Sequence, residues 1–252
     1  MPTIRPPGDK EMTVRKTCGK KGAFLLAAAL ALAGCFTSIA DDDLAAGGGN
    51  EAQMPNDTDG YLTIENGVVT KCDSNATGHI TIPEGVTSIG KEAFSNCSSL
   101  ASVTIPGSVK SIEDGAFKGC ASLATVTIGN GVESIGDFAF NVCESLASVT
   151  IPGSVKSIRE GAFARCTSLA SVTIGDGVES IGNFAFNGCA IESVEIPTSV
   201  KNIGNAAFSA CNSLTNVKYG GTTDQWRQIA IGASPFPSNI TITDKDNNPL
   251  TY

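Results

Sequence analysis

The chain has 252 residues, 41% of them hydrophobic and only 6% aromatic, with 28 glycines, which is enough for one sizeable domain or two small ones. Its 25 acidic against 17 basic side chains give a net charge of −8 and a pI near 4.7, which argues against nucleic acid as a partner because neutralising phosphates takes a basic surface. A single histidine, His79, leaves any Ser-His-Asp, Cys-His or His-rich metal chemistry resting on one side chain.

A targeting pattern comes first. Arg15-Lys16 and Lys20-Lys21 form a basic segment, and the apolar run 22–34 that follows is about 13 residues long. A helix that spans a bilayer takes roughly 20 residues. A basic segment, a short apolar one and small residues before Cys35 describe instead a secretory signal over residues 1–34. Leu32-Ala33-Gly34-Cys35 resembles a bacterial lipobox. That resemblance implies cleavage after Gly34 and acylation of Cys35, against the alternative of a soluble export signal with an incidental cysteine. Met12 is a second candidate start site. Cleavage takes away six basic and two acidic residues, leaving 11 basic against 23 acidic, a net charge of −12. Acyl chains, at about 0.8 kcal/mol per buried methylene, hold such a protein on a membrane without electrostatic help. Residues 35–58, with Asp41-Asp42-Asp43 and Gly47-Gly48-Gly49, lack periodic apolar side chains and read as a flexible tether. The three aspartates suit a solvated linker better than a cation site.

After a short N-terminal cap, 59–79, a pattern of 23 residues begins at Ile80 and returns from Val103, Val126, Val149, Val172 and Val194, one copy being a residue short near Ala190-Ile191. Six copies over 80–216 are the signature of a repeat solenoid, in which each coil buries its apolar face only against its neighbours. Val103 and Ile105 alternate with Ser102 and Thr104, the period of a half-buried strand, and Pro106-Gly107 ends it. Val109 to Ile112 supplies two more inward side chains. The spacing of Ala116, Phe117 and Cys120 predicts one helical or 3₁₀ turn closing the coil. Phe94, Phe117, Phe140, Phe163, Phe186 and Phe208 form the core's spine, and Cys97, Cys120, Cys143, Cys166, Cys189 and Cys211 a buried ladder of free thiols, whose parallel stacking suits neither disulfides nor a metal site. A C-terminal cap, 217–252, closes the chain.

The run IPxxVxxIxxxAFxxCxxL, repeated from residue 82 to 214, resembles the BspA-like leucine-rich repeats of bacterial surface proteins. Tyr61-Leu62-Thr63-Ile64 before it, and Tyr219-Gly220-Gly221-Thr222 with Gln225-Trp226 after it, resemble that family's caps. Gly129 and Gly175 depart from the motif's proline, in coils where Asn130-Gly131 and Asp176-Gly177 can supply a positive φ. The resemblance implies a right-handed leucine-rich-repeat stack of short parallel β-strands with short helical or 3₁₀ turns, capped at both ends. It also implies an exported lipoprotein, anchored at the outer membrane or cell surface, and an adhesin that recognises host matrix protein or other cells through a protein or glycan. A monomer without cofactor or catalytic residues is expected. The alternative is a structural or periplasm-facing lipoprotein with no external ligand.

Candidate contact residues follow the repeat. Ser102, Thr104, Thr125, Thr127, Ser148, Thr150, Ser171 and Thr173 point outward from successive strands as an uncharged strip, which strand propensity alone also explains. A row of alternating sign, Thr87, Lys110, Glu133, Lys156, Glu179, Lys201, runs beside it. Phe138 and Phe184 replace Gly or Ala at one coil position and are either exposed aromatic anchors or cover for the outer wall. Trp226 either caps the open end of the apolar column or stacks a ligand. His79 is expected at the rim. No phosphate-binding glycine loop or nucleophile elbow is present, so an enzyme is not expected.

Overall fold

The computed structural model describes residues 60–251. The signal segment 1–34, Cys35 and the tether 35–58 lie outside the described residues. β1 (Leu62–Glu65) and β2 (Val68–Cys72) form an antiparallel hairpin whose turn sets Asn66 and Gly67 at φ 50° and 75°. Each later coil adds one longer and one two-residue strand. These are β3 (Gly78–Thr81), β4 (Ser88–Ile89), β5 (Leu100–Ile105), β6 (Ser111–Ile112), β7 (Thr125–Ile128), β8 (Ser134–Ile135), β9 (Ser148–Ile151) and β10 (Ser157–Ile158). They continue as β11 (Ser171–Ile174), β12 (Ser180–Ile181), β13 (Ser193–Ile196), β14 (Asn202–Ile203), β15 (Asn216–Tyr219), β16 (Ala230–Ile231) and β17 (Thr241–Thr243). The short strands join β1 and β2 in one nine-stranded sheet, β1-β2-β4-β6-β8-β10-β12-β14-β16, while the longer strands split into β11-β9-β7-β5-β3 and β13-β15-β17. The result is a β-solenoid of about eight turns with parallel strands and little helix.

The third side of each coil is a turn segment. Bonds from i to i−3 do form there: the N–H groups of Ala116, Lys118 and Cys120 donate to the carbonyls of Glu113, Gly115 and Phe117 at 3.2, 2.9 and 3.2 Å. The turns do not run on into a helix, because Gly115 and Gly119 stand at left-handed φ, 63° and 75°. Alternate N–H groups therefore turn outward, and Gly115, Phe117 and Gly119 donate to Asp137, Ala139 and Asn141 of the next coil at 2.7–2.8 Å. The buried backbone is thus satisfied by a third inter-coil ladder.

Inside, the phenylalanine rings from Phe94 to Phe208 stack with centroids 4.6–5.3 Å apart and interplanar angles of 2–19°, and Phe236 extends the column at 5.3 Å. Beside it, Cys97, Cys120, Cys143, Cys166, Cys189 and Cys211 are buried free thiols, and Cys72 is buried at the N-terminal end of the ladder. From Cys120 onward each Sγ donates to the phenylalanine carbonyl one coil back, at 3.0–3.2 Å. Burial pushes the Cys120 thiol up to about 12 and the Cys211 thiol to about 11, which denies both the thiolate form that reacts.

The glycine-for-proline departures have a different cause from the one the sequence suggests. Of the residues at 130, 131, 176 and 177, only Gly177 has a positive φ, 130°. Clearance is what requires glycine: a Cβ on Gly129 would lie 2.6 Å from the Gly107 nitrogen, and one on Gly131 would lie 2.7 Å from the Gly107 carbonyl carbon, overlapping its oxygen. A Gly-type turn thus sits flush on the Pro-type turn before it. Its N–H also adds a ladder bond, from Gly129, Gly175 and Gly220 to the carbonyls of Ile105, Ile151 and Ile196 at 2.8–2.9 Å. Proline has no such donor. Where Pro152 and Pro197 follow Gly-type coils the strand ladder opens: β7 and β9 keep only the Thr125–Ser148 pair, and β11 and β13 fall in separate sheets. Val126, Ile128, Val172 and Ile174 on these seams are 7–9% exposed, against 0–4% for Val149, Ile151, Val194 and Ile196. Pro106 follows another Pro-type coil, that of Pro83, and β3 and β5 stay paired. The seam therefore belongs to the Gly-to-Pro order.

At the C-terminal end, α1 (Thr223–Trp226) opens with a capping box between Thr222 and Gln225. Its Trp226 is buried, with Nε1 donating to the Thr251 carbonyl at 3.0 Å and the ring 5.4 Å from Tyr219. A covered indole with its N–H satisfied is a lid on the apolar column, which overturns the ligand-stacking alternative for Trp226. Buried Asp244 ties the cap together, accepting from Thr223 Oγ1 and from the backbone N–H groups of Asp246 and Asn248 at 2.8–2.9 Å. Hydrogen bonds to the carboxylate, led by those from the Asn248 side chain, hold it well below the usual carboxylate range.

Candidate binding surfaces

The strand face is built by alternation. In β7, β9 and β11 the second and fourth residues are buried and the first and third face solvent, which puts Thr125, Thr127, Ser148, Thr150, Ser171 and Thr173 outside. Register sets Ser102 and Thr104 against Thr125 and Thr127, and Ser148 and Thr150 against Ser171 and Thr173. The two seams break the strip after Thr127 and after Thr173, so the hydroxyls form blocks of paired rungs rather than one even array. Beyond the second seam the row changes character, with Glu195 opposite Lys218.

Ser102 and Thr104 are half-buried, and His79 accounts for it. β3 sets His79 opposite Ser102, with Nδ1 2.8 Å from Ser102 Oγ and Nε2 3.1 and 3.4 Å from the Thr81 and Thr104 hydroxyls. The imidazole bridges two rungs. His79 therefore lies in the hydroxyl row rather than at the rim, a place that the period of two, carried back one coil from Ser102 to His79 and from Thr104 to Thr81, also gives it. Its partners are hydroxyls among the described residues, so no carboxylate orients it as a base beside Ser102.

Along the next edge, Lys110 and Glu133 lie 3.6 Å apart and Glu179 and Lys201 2.6 Å apart, all exposed. Such pairs are worth about 0–1 kcal/mol. Register here rests instead on backbone bonds from Lys110, Glu133, Lys156, Glu179 and Lys201 to the same position one coil back, at 2.7–2.9 Å. On the turn side, Phe138 and Phe184 are the large apolar side chains left exposed among the described residues, at 40% and 45%. Among the same residues no group of three or more His, Cys, Asp or Glu side chains is placed to hold a metal ion.

The profile of the BspA type leucine rich repeat region matches in six copies, over residues 62–159 and 133–246. The chain is similar to the leucine-rich repeat protein of T. pallidum, with 29% identity, a TM-score of 0.59, and coverage of 68% of this chain and 83% of that one. It is also similar to a leucine rich cell surface protein of Faecalibacterium prausnitzii A2-165, with 32% identity, a TM-score of 0.47, and coverage of 66% of this chain and 55% of that one. No curated protein matches.

Proposed function

The chain belongs to the BspA-type leucine-rich repeat family, and on that premise we propose that it is a lipid-anchored, non-catalytic binding module of the cell surface, an adhesin for host matrix protein or other cells. One observation carries the reading: three successive strands present uncharged hydroxyls on a face that the fold leaves open to solvent, from Thr125 and Thr127 to Ser171 and Thr173, with the half-buried Ser102 and Thr104 beside them. A solenoid face sums small contacts over successive coils, so modest individual hydrogen bonds add to useful affinity. The basic and apolar stretches before Cys35 support export and anchoring.

Changing Thr127, Thr150 and Thr173 together to Lys puts three charges on this face while leaving every buried side chain in place. Binding to immobilised decellularised host matrix is expected to fall about tenfold or more, with circular dichroism and melting temperature nearly unchanged. Equal binding by wild type and variant removes the strand face as the site. For the anchor, Cys35→Ala is expected to move the protein from the detergent to the aqueous phase of a phase partition. Identical partition of the two forms would exclude lipidation at Cys35.

A further inference from the structure

The inter-coil ladder of the turn side requires two left-handed residues in every coil. One column runs Glu92, Gly115, Phe138, Gly161, Phe184, Ala206, at φ 51–63°, and the other Asn96, Gly119, Val142, Arg165, Gly188, Ala210, at φ 58–75°. Glycine takes this conformation freely, and asparagine tolerates it, whereas bulky and β-branched side chains are disfavoured there. The phenylalanine, valine and arginine side chains of these columns all fall within three consecutive coils, and the two flanking coils carry Gly115 and Gly119 on one side and Ala206 and Ala210 on the other, with Glu92 and Asn96 in the first coil. Folding therefore does not call for Phe138, Val142, Arg165 or Phe184. Outliers that the fold tolerates without needing them point to a task performed at the surface.

Their chemistry is specific. Phe138 and Phe184 are 40% and 45% exposed and stand two coils apart, about 10 Å at the spacing of parallel strands. Gly161, in the coil between them, gives the Phe138 ring its room, since a Cβ there would come within 2.6 Å of Phe138 Cδ1. The same intervening coil carries Arg165. Arg159 reaches Asp137 at 3.1 Å and Arg227 reaches Asp224 at 3.0 Å, but Arg165 has no carboxylate partner among the described residues, in a region with 17 carboxylates and 11 cations. A lone exposed arginine beside two exposed aromatic rings has the composition of an interface centre.

We propose that this wall docks an amphipathic helix of a partner protein, with apolar side chains at i and i+7 on Phe138 and Phe184 and a carboxylate between them on Arg165. The spacing supports a helix lying along the stacking direction, since two helical turns advance about 11 Å, one turn per coil. A second copy of the chain is disfavoured, because a two-fold axis at the intervening coil sets Arg165 against Arg165. A glycan finds on Phe138, Val142 and Phe184 no polar edge to accept its hydroxyls. The proposal rests on reading the protein as a binding module but concerns a different face from the hydroxyl strip, so the two fail separately.

The test uses the full chain and two synthetic helical peptides of about 20 residues, each with Leu at i and i+7, one with Glu and the other with Lys at i+3 and i+4, read by fluorescence anisotropy. The Glu peptide is expected to bind. Phe138→Ala and Phe184→Ala, which copy Ala206 of the same column, are each expected to weaken it about tenfold. Arg165→Glu is expected to reverse the preference in favour of the Lys peptide. A thermal melt of each variant matching wild type confirms that the fold is intact. The proposal is overturned if neither peptide saturates by about 1 mM, if the phenylalanine variants bind as wild type does, or if Arg165→Glu leaves the preference unchanged. A dimer that forms with rising concentration and disappears in the Phe variants also overturns it, by assigning the wall to self-association.

Discussion

Phe140→Ala is expected to destabilise the domain by about 3–5 kcal/mol, the upper range for a buried aromatic. Phe140 is fully buried between Phe117, 5.0 Å away, and Phe163, 5.1 Å away. Its coil is tied to both neighbours by backbone ladders on the short-strand and turn sides, and these keep the walls from collapsing into the space the ring leaves. The loss also falls on two interfaces at once, because a coil in a solenoid is stabilised only by the coils on either side. Urea unfolding followed by circular dichroism measures it. Phe140→Leu, which keeps most of the volume, is expected to cost under about 1.5 kcal/mol. Equal midpoints for the Ala variant and wild type would mean that the column is not the core.

Two glycines facing each other across one junction are expected to respond with opposite signs. Gly131→Ala is expected to cost about 3 kcal/mol, because the new methyl overlaps the backbone carbonyl of Gly107, and neither turn can move without breaking its ladder bond. Gly107→Ala is expected to stabilise by about 0.4–1 kcal/mol. Its Cβ would find nothing nearer than the Gly131 nitrogen at 3.9 Å, Gly107 is not among the positive-φ residues, and alanine restricts the unfolded chain. Thermal melts of the two variants beside wild type decide it, and the reverse ranking would show that the flush contact between the turns is wrongly assigned.

Much of this was legible in the sequence because the repeat carries it. A period of 23 with Val103 and Ile105 alternating against Ser102 and Thr104 determines which side chains face in, and the phenylalanine and cysteine columns follow from position alone. Contacts between coils were harder to read. His79 precedes the first full motif, so its place in the hydroxyl row is visible only once strand register is known. Phe236 and Trp226 lie where the motif has dissolved, and their burial depends on the chain folding back over the last coil. The glycines at 129, 131 and 175 look like turn formers, yet what selects them is the carbonyl of another coil 22 to 24 residues away, a clearance that local pattern does not contain. The left-handed positions of Phe138 and Phe184 are hidden for the same reason, since the local spacing suggests a helical turn where the ladder demands alternation.

The order of Pro-type and Gly-type coils also constrains how such a gene can change length. Residues 103–148 and 149–193 read as successive copies of one Pro-Gly pair, each closed by a flush turn and bounded by a seam. Recombination that inserts or removes two coils together joins like to like and leaves every junction of a kind already present. A single-coil event starting at residue 149 would instead set Gly129 to Gly131 directly beneath Gly175 to Gly177, a junction with no counterpart elsewhere in the chain. Inheritance by pairs, with the nine-stranded sheet running unbroken behind them, lets the molecule lengthen without inventing a new contact.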